Sequence, residues 1–397
     1  MQKDIRMRIA DEIAVSGGIF RLDPAWVARD WLPPGRRLGL PPDEYDVGER
    51  GHICERWLAS TTRADNAVGP DDEGLSYVRA ADGSRIPLVE IVATAPELLM
   101  GADYARGHAG LGRLAKIYDF AVRIPQHIHP PLEHARRAGR NPKDEAYYFP
   151  PGIDMGPHPE TFLGLHPSLG RERLWDDLVE IIEDWDDDRI LRYSPAYLQV
   201  AEEGFFVPSG VLHAPGTALT LELQEDSDSM AIFQALNAGT IISKRLLMKD
   251  VSAEDRLLHG EAAPLHWIDW AENTDPFFHE HHRLTPTLFR EEDGASEAWI
   301  FYGSSKFCGK RLIVQPGSTY RASEPGVFSL LVWQGRGEIG GVPVVGQSFD
   351  EDELLIVHDR AVTDLEYVNR GDQPLVVIKM FGPDLCPEAP ILPRRPA

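Results

Sequence analysis

The sequence predicts a mainly β fold in two domains, the second a small jelly-roll barrel, and three observations carry that prediction. At 397 residues the chain exceeds the roughly 250–300 residues at which a single hydrophobic core stops growing. Its 32 prolines and 35 glycines are spread along the chain, which favours many short strands joined by tight turns. Short apolar or alternating runs recur at close spacing, most densely between residues 288 and 381.

Taken in order, residues 1–50 mix loop and amphipathic signals. Asp23 before Pro24 reads as a helix N-cap with proline at the first helical position, and Trp26 and Trp31 read as core. Residues 51–62 alternate apolar and polar side chains, as a half-buried strand does. Residues 111–120 fit a helix through Leu114, Ile117 and Phe120, or a strand continuing to Val122 and Ile124. Residues 174–185 repeat apolar side chains at helical spacing with acids on the other face, predicting a helical insertion near 158–192. The acid run 183–188 reads as its solvated face.

Strands are expected again at 196–200, at 204–207 and after Ala218, followed by a less regular connector over 250–283. That connector holds Phe277-Phe-His-Glu-His-His, a run with the composition of a metal cluster. Consecutive residues on an extended chain point apart, so it cannot present four ligands to one ion. Beyond it, residues 298–302, 310–314, 328–333, 354–357 and 374–381 are strand candidates, separated by turns at Pro316-Gly317 and after Gly335.

Composition narrows the function. A formal net charge of −23 argues against a nucleic-acid partner, because a phosphate backbone needs a basic surface. It also disfavours an anionic substrate, although a local basic pocket overrides a global field. Cys54, Cys308 and Cys386 lie far apart without a Cys-x-x-Cys pair, so no disulfide framework is expected and a reducing cytoplasm is the default. The N-terminus is charged and lacks the apolar core of a signal peptide. No apolar run approaches the ~20 residues of a membrane span. A soluble, cytoplasmic protein without membrane association is expected.

The chemistry concentrates between residues 123 and 149, which read Arg-Ile-Pro-Gln-His-Ile-His-Pro and later Asn-Pro-Lys-Asp-Glu-Ala-Tyr-Tyr-Phe. On a strand His127 and His129 point to one face and Ile128 to the other. A turn-rich loop with Pro130, Pro131, Gly139 and Pro142 then leads to a second strand near Asp144. If the two strands pair, Glu145 faces the imidazoles. A third imidazole comes from Val207-Pro-Ser-Gly-Val-Leu-His, where a Pro/Gly turn delivers His213 at a strand start. Three neutral imidazoles and one carboxylate make a site for a divalent transition metal.

These motifs resemble those of cupin barrels, and the likeness extends to type I mannose-6-phosphate isomerases. Residues 200–232 resemble that family's second cupin motif, Ile53-Cys-Glu-Arg-Trp-Leu-Ala-Ser its N-terminal strand, and Leu114-Ala-Lys-Ile-Tyr-Asp the approach to its metal motif. Asn141-Pro-Lys-Asp-Glu resembles the segment carrying its glutamate ligand and an active-site lysine, and Phe162-Leu-Gly-Leu-His-Pro is similar to another family element. The resemblance covers roughly residues 15–240; beyond them it holds only at the level of fold. It implies a metal-binding cupin domain over 1–249, the connector 250–283, and a second, degenerate cupin domain over 284–397. It also places the metal, zinc by the family's usage and iron or manganese by the donor set, on His127, His129, Glu145 and His213. Two positions depart from the family. His127 stands where glutamine is usual, and Ile232 stands where the family carries an active-site arginine.

The function this implies is a metal-dependent aldose–ketose isomerase acting on a small carbohydrate, on a non-phosphorylated or atypical sugar if no arginine replaces the one absent at Ile232. Lys143 is the first candidate for proton transfer or oxyanion support. Arg245, with Lys244 and Lys249, is the candidate to supply the missing cation, and Glu222 and Glu225 are further candidates for substrate contact. Two other readings stand beside it: a cupin dioxygenase or lyase, and a non-catalytic sugar-binding protein. In the second domain Ser318, Tyr320 and Ser323 stand where a cupin places its histidine pair, and His358 stands alone. That domain is expected to support packing or association, a homodimer included.

Overall fold

Residues 113–118 resolve the helix-or-strand ambiguity in favour of the strand. In the structure, a computed structural model that describes residues 2–393, Arg113–Tyr118 is a strand with every residue buried. Ala115 and Ile117 join the largest apolar cluster, and Arg113 donates to Ser329 Oγ at 2.7 Å in the C-terminal half. Lys116 and Tyr118 point the other way, into a cavity. Covering both faces removes the simple polar–apolar alternation that marks a half-exposed strand.

This strand lies in a seven-stranded antiparallel sheet. Its order is Arg283–Leu284, Gly204–Val207, Glu145–Tyr148, Thr220–Glu225, Arg113–Tyr118, His52–Leu58 and Ala25–Arg29. A five-stranded sheet runs Ala196–Leu198, Glu160–Leu163, His213–Ala214, His127–Ile128 and Ala231–Ile232. Both send side chains into the same cavity. The fold is mainly β as expected, but where barrels are expected the described residues form open hydrogen-bonded sheets. In the smaller sheet the ladders shrink to two residues near Pro125, Pro130 and Pro215, which have no N–H to donate.

Asp23 and Pro24 do not start a helix. Ile19–Asp23 and Ala25–Arg29 are strands in two different sheets, and Pro24 sits where the chain crosses between them. A residue before proline is biased towards extended backbone, and here that bias outweighs the capping signal. Ile19–Arg21 pairs with Leu354–Ile356, so the chain's first strand joins a sheet built mainly from residues 287–381, which Tyr77–Arg79 and Arg85–Pro87 extend further. That sheet has nine strands and faces a four-stranded one made of Thr319–Ala322, Leu365–Asn369, Arg336–Ile339 and Val342–Val345.

The predicted helix forms as Arg171–Asp184, burying Leu174, Leu178, Ile181 and Ile182, while residues 183, 184, 186 and 188 remain exposed. The connector is short helical turns rather than extended chain. In Phe278–His282 the histidines take separate partners: His281 bonds Asp275, His282 Nε2 lies 2.8 Å from Glu272, and His279 stacks on Tyr197.

The C-terminal half holds a buried ionic network. Lys379 Nζ lies 2.7 Å from Glu297 and 2.6 Å from Glu324, and Lys310 Nζ lies 2.7 Å from Glu324. Tyr320 donates to Glu297 at 2.8 Å. Removing one member leaves a carboxylate buried without its cation, so Lys379→Met is expected to lower unfolding free energy by about 3–5 kcal/mol, measured by urea denaturation. No helix among the described residues is long and apolar enough to cross a membrane.

Candidate metal centre

His127 begins the two-residue strand His127–Ile128, and its register partner across the small sheet is His213. That pairing brings their ring centroids to 3.9 Å. Ile128 points to the opposite face and packs in an apolar cluster with Leu212 and Ile232. Glu145 arrives differently from the expectation. Its strand does not pair with the histidine strand, because the helix Leu132–Arg137 carries the chain across to the larger sheet. Glu145 therefore meets the imidazoles across the gap between sheets. Its carboxylate oxygens lie 3.0 Å from His129 Nε2 and 3.0 Å from His213 Nε2.

The protonation of this cluster follows from its hydrogen bonds. His127 Nδ1 faces the Pro125 carbonyl at 2.8 Å, His129 Nδ1 the Ser229 carbonyl at 2.7 Å, and His213 Nδ1 the Val211 carbonyl at 2.9 Å. A carbonyl only accepts, so each Nδ1 carries the proton and each Nε2 of a neutral ring is left with a lone pair. Burial, with His213 and His129 beside it, holds His127 well below the usual imidazole pKa. Burial and then Lys143 push His129 down to about 3. Burial favours protonated Glu145, but Lys143 and the imidazoles outweigh it and hold the carboxyl well below its usual range.

The neutral His129 ring thus turns its Nε2 lone pair to the buried Glu145 carboxylate at hydrogen-bond distance, with no proton between them. His213 Nε2 has no hydrogen-bond partner, and Glu145 Oε2 is met by the Lys143 ammonium at 2.8 Å. One donor atom from each of the four residues lies within 4.8 Å of the others, and all four residues are buried. This is the only such His/Cys/Asp/Glu group among the described residues. The donor set and its anchored tautomers fit a divalent cation, as metal-ligating histidines are characteristically held through their other nitrogen.

Around the cluster, three cations face four carboxylates. Lys143 Nζ lies 2.8 Å from Glu145, 3.4 Å from Glu222 and 3.2 Å from His129 Nε2. Burial works against this ammonium, yet Glu145 and Glu222 outweigh it and raise its pKa. Lys116 Nζ lies 3.3 Å from Glu222. Arg29 is gripped by two carboxylates: Nε is 2.7 Å from Glu55, and its Nη atoms reach Asp228 at 3.0 and 3.2 Å. Burial outweighs the two lysines at Glu222 and pushes its pKa up to about 7.

The structure therefore brings together His127, His129, Glu145, His213, Lys143 and Glu222. It does not bring Arg245 to them; that residue is exposed at the start of Arg245–Met248. Lys244 pairs with Glu261, and Lys249 reaches Asp65 and Asp250. Glu225 bonds Lys306 and the Asp144 N–H instead of lining the cavity. Ile232 is fully buried in an apolar cluster. Arg29, Lys116 and Asp228 are lining residues that the sequence reading did not single out. For two of them a signal exists: Arg29 ends Ala-Trp-Val-Ala-Arg, and Lys116 interrupts Leu-Ala-Lys-Ile-Tyr. A lone charge in an apolar strand marks a buried, paired ion.

No family model and no curated protein sequence matches the chain. Solved structures do match in fold. Mannose 6-phosphate isomerase from Bacillus subtilis aligns with a TM-score of 0.63 at 16% identity, over 91% of this chain and 99% of that one. A variant of phosphomannose isomerase from Salmonella typhimurium gives 0.63 at 10% identity, over 92% and 100% of the two chains. A zinc-bound holo mannose 6-phosphate isomerase gives 0.62 at 11%, again over 92% and 100%. At these identities the likeness establishes a shared fold along nearly the whole chain.

Proposed function

We propose that this protein is a divalent-metal-dependent aldose–ketose isomerase of the mannose-6-phosphate isomerase type, acting on a neutral sugar. The observation that carries this reading is the buried His127–His129–Glu145–His213 cluster with Lys143 and Glu222 beside it. The fold neighbours, one of them zinc-bound, support it. The same reading takes the two pairs of sheets as cupin domains over 1–249 and 284–397, joined by 250–283, with the strand Ile19–Asp23 lent to the second.

A divalent ion, zinc by preference, would supply Lewis-acid polarisation of the carbonyl and hydroxyl oxygens of an open-chain sugar. The chain supplies the rest. Isomerisation removes a proton from C2 of the aldose and returns one to C1, while a hydroxyl proton moves between O2 and O1. Glu222, held near neutrality by burial, suits that proton exchange. Lys143, held protonated, suits stabilising the enediolate oxygens. The cationic role expected of Arg245 passes to Arg29 in this reading. Because Glu55 and Asp228 already satisfy Arg29, it neutralises the wall without offering an unpaired guanidinium to a phosphate dianion. That favours an uncharged substrate.

The cavity beside the cluster has a volume of about 40 Å³, which requires lining side chains to move before a sugar enters. Lys143 is the side chain positioned to do so. Its ammonium rests on the ligand cluster, and a cation bound there would repel it towards the substrate.

The test is turnover by the metal-loaded protein on D-mannose and D-fructose beside their 6-phosphates. The reading expects conversion of the neutral pair, loss with a chelator and recovery on adding metal. Activity is expected to rise as pH increases through about 7, as Glu222 ionises, and Glu222→Gln is expected to lose that limb. Turnover confined to the phosphates would overturn the neutral substrate, and none on either pair would overturn the isomerase. The three-imidazole donor set also suits iron or manganese, which keeps an oxygenase as a second reading. Oxygen consumption by the iron-loaded protein is its test.

A further inference from the structure

A cavity lies away from the metal centre, between the outer face of the seven-stranded sheet and the C-terminal half. Its volume is about 390 Å³, against about 40 Å³ beside the metal cluster. Ligand pockets commonly occupy roughly 300–1,000 Å³ and favour domain boundaries. The two cavities share strands but not faces. On His52–Leu58, Glu55 lines the metal cavity and the next residue, Arg56, lines the larger one. On Arg113–Tyr118, Lys116 and Ile117 divide in the same way.

The walls select a type of occupant. Two arginines, Arg37 and Arg56, are balanced by two aspartates, Asp154 and Asp352, so the lining carries no formal net charge. Trp333 and Phe349 are half-exposed aromatic rings, and Ile117 and Leu219 add apolar wall. Gln334 and Gln347 bring amide donors and acceptors. Arg56 is the buried polar group of the site, with a relative exposure of 2%. Its Nη atoms are committed to Asp352 at 2.8 and 2.6 Å and to Glu353 at 3.0 Å. Its Nε is buried and has no partner. A buried N–H left unpaired is costly, and more so in a charged group.

We propose that this cavity is a second small-molecule site, taking a neutral carbohydrate of mono- or disaccharide size. Aromatic rings accept the apolar face of a sugar ring, and amides and carboxylates satisfy its hydroxyls. A charged ligand would leave the balanced walls with an uncompensated charge. The site needs no metal and does not depend on the reaction proposed above.

The test is methyl NMR on the full chain with Ile and Leu labelled, titrated with D-glucose, D-mannose and maltose in the presence of EDTA. The expected result is saturable shifts of Ile117, Ile153 and Leu331 methyls with at least one sugar, at a Kd below about 10 mM. Trp333→Ala, and independently the exposed Gln347→Ala, are expected to raise that Kd about tenfold or more. No saturable shift with any of the three sugars would overturn the proposal, as would binding that both variants leave unchanged. Binding here in EDTA, together with no turnover by the separately assayed metal-loaded protein, would sink the catalytic reading and leave this one standing; turnover by the metal-loaded protein without these shifts would do the reverse.

Discussion

Glu145→Gln is expected to weaken zinc binding by at least about 100-fold, read by competition with a chromophoric chelator. Changes to residues that merely support metal ligands cost about 10–100-fold, and Glu145 is placed as a direct donor. The amide keeps the size of the side chain and an oxygen for the Tyr147 hydroxyl, but it removes the only anionic donor of the four. It also strips Lys143 of its nearest counter-charge. A second readout separates lost affinity from lost fold. Zinc at about 1,000 times its Kd should stabilise the native chain by about 4 kcal/mol, raising Tm, and at the same zinc concentration this increment should fall to about 1.4 kcal/mol or less in the variant. A variant that keeps the zinc-dependent shift would place the metal elsewhere.

Lys143→Met is expected to keep the metal and lose the reaction, with kcat lowered by about 10²- to 10⁴-fold. Lys143 lies within 3.4 Å of Glu145, Glu222 and His129, yet it is not one of the four donors. If its ammonium steadies charge that develops only in the transition state, kcat falls and KM changes little. A structural role would give a lower Tm and reduced zinc content instead. Metal stoichiometry and thermal unfolding of the same sample distinguish the two.

The four donors were legible in sequence because each sits in a local pattern. His127 and His129 follow the period of a strand, and His213 follows a Pro-Ser-Gly turn. Glu145 was found for a reason the fold replaces. It reaches the imidazoles from the opposite sheet and not from a neighbouring strand, and the helix Leu132–Arg137 that makes this crossing lies in what reads as loop. The charged wall was out of reach because its pairings are distant. Arg29 and Asp228 are separated by 199 positions, and no periodicity in either segment names the other. The same holds for the strand Ile19–Asp23, whose partner Glu353–Ile356 lies at the other end of the chain. Asp23-Pro24 shows a local rule losing to tertiary context, since strand pairing on both sides satisfies the backbone that a cap would have served.

Ile232 looked like the missing piece of the active site, but the structure gives that position to packing. Its backbone pairs with His127, and its side chain is fully buried in an apolar cluster and is not among the residues lining the metal cavity. In the proposed reading the cation is Arg29, on the edge strand Ala25–Arg29 and already neutralised by its carboxylates. This shift underlies the choice of an uncharged substrate, since position 232 offers no cation and Arg29 has none to spare.

The most direct test of the proposed reaction is proton exchange at the sugar carbon. Zinc-loaded protein is incubated in D₂O with D-mannose or D-fructose, and the recovered sugars are read by NMR. An enediol route predicts deuterium at C2 of the aldose or C1 of the ketose together with the isomerised product, both abolished by EDTA and by Glu145→Gln. Sugars recovered unlabelled and unconverted from protein with its metal bound would contradict the isomerase.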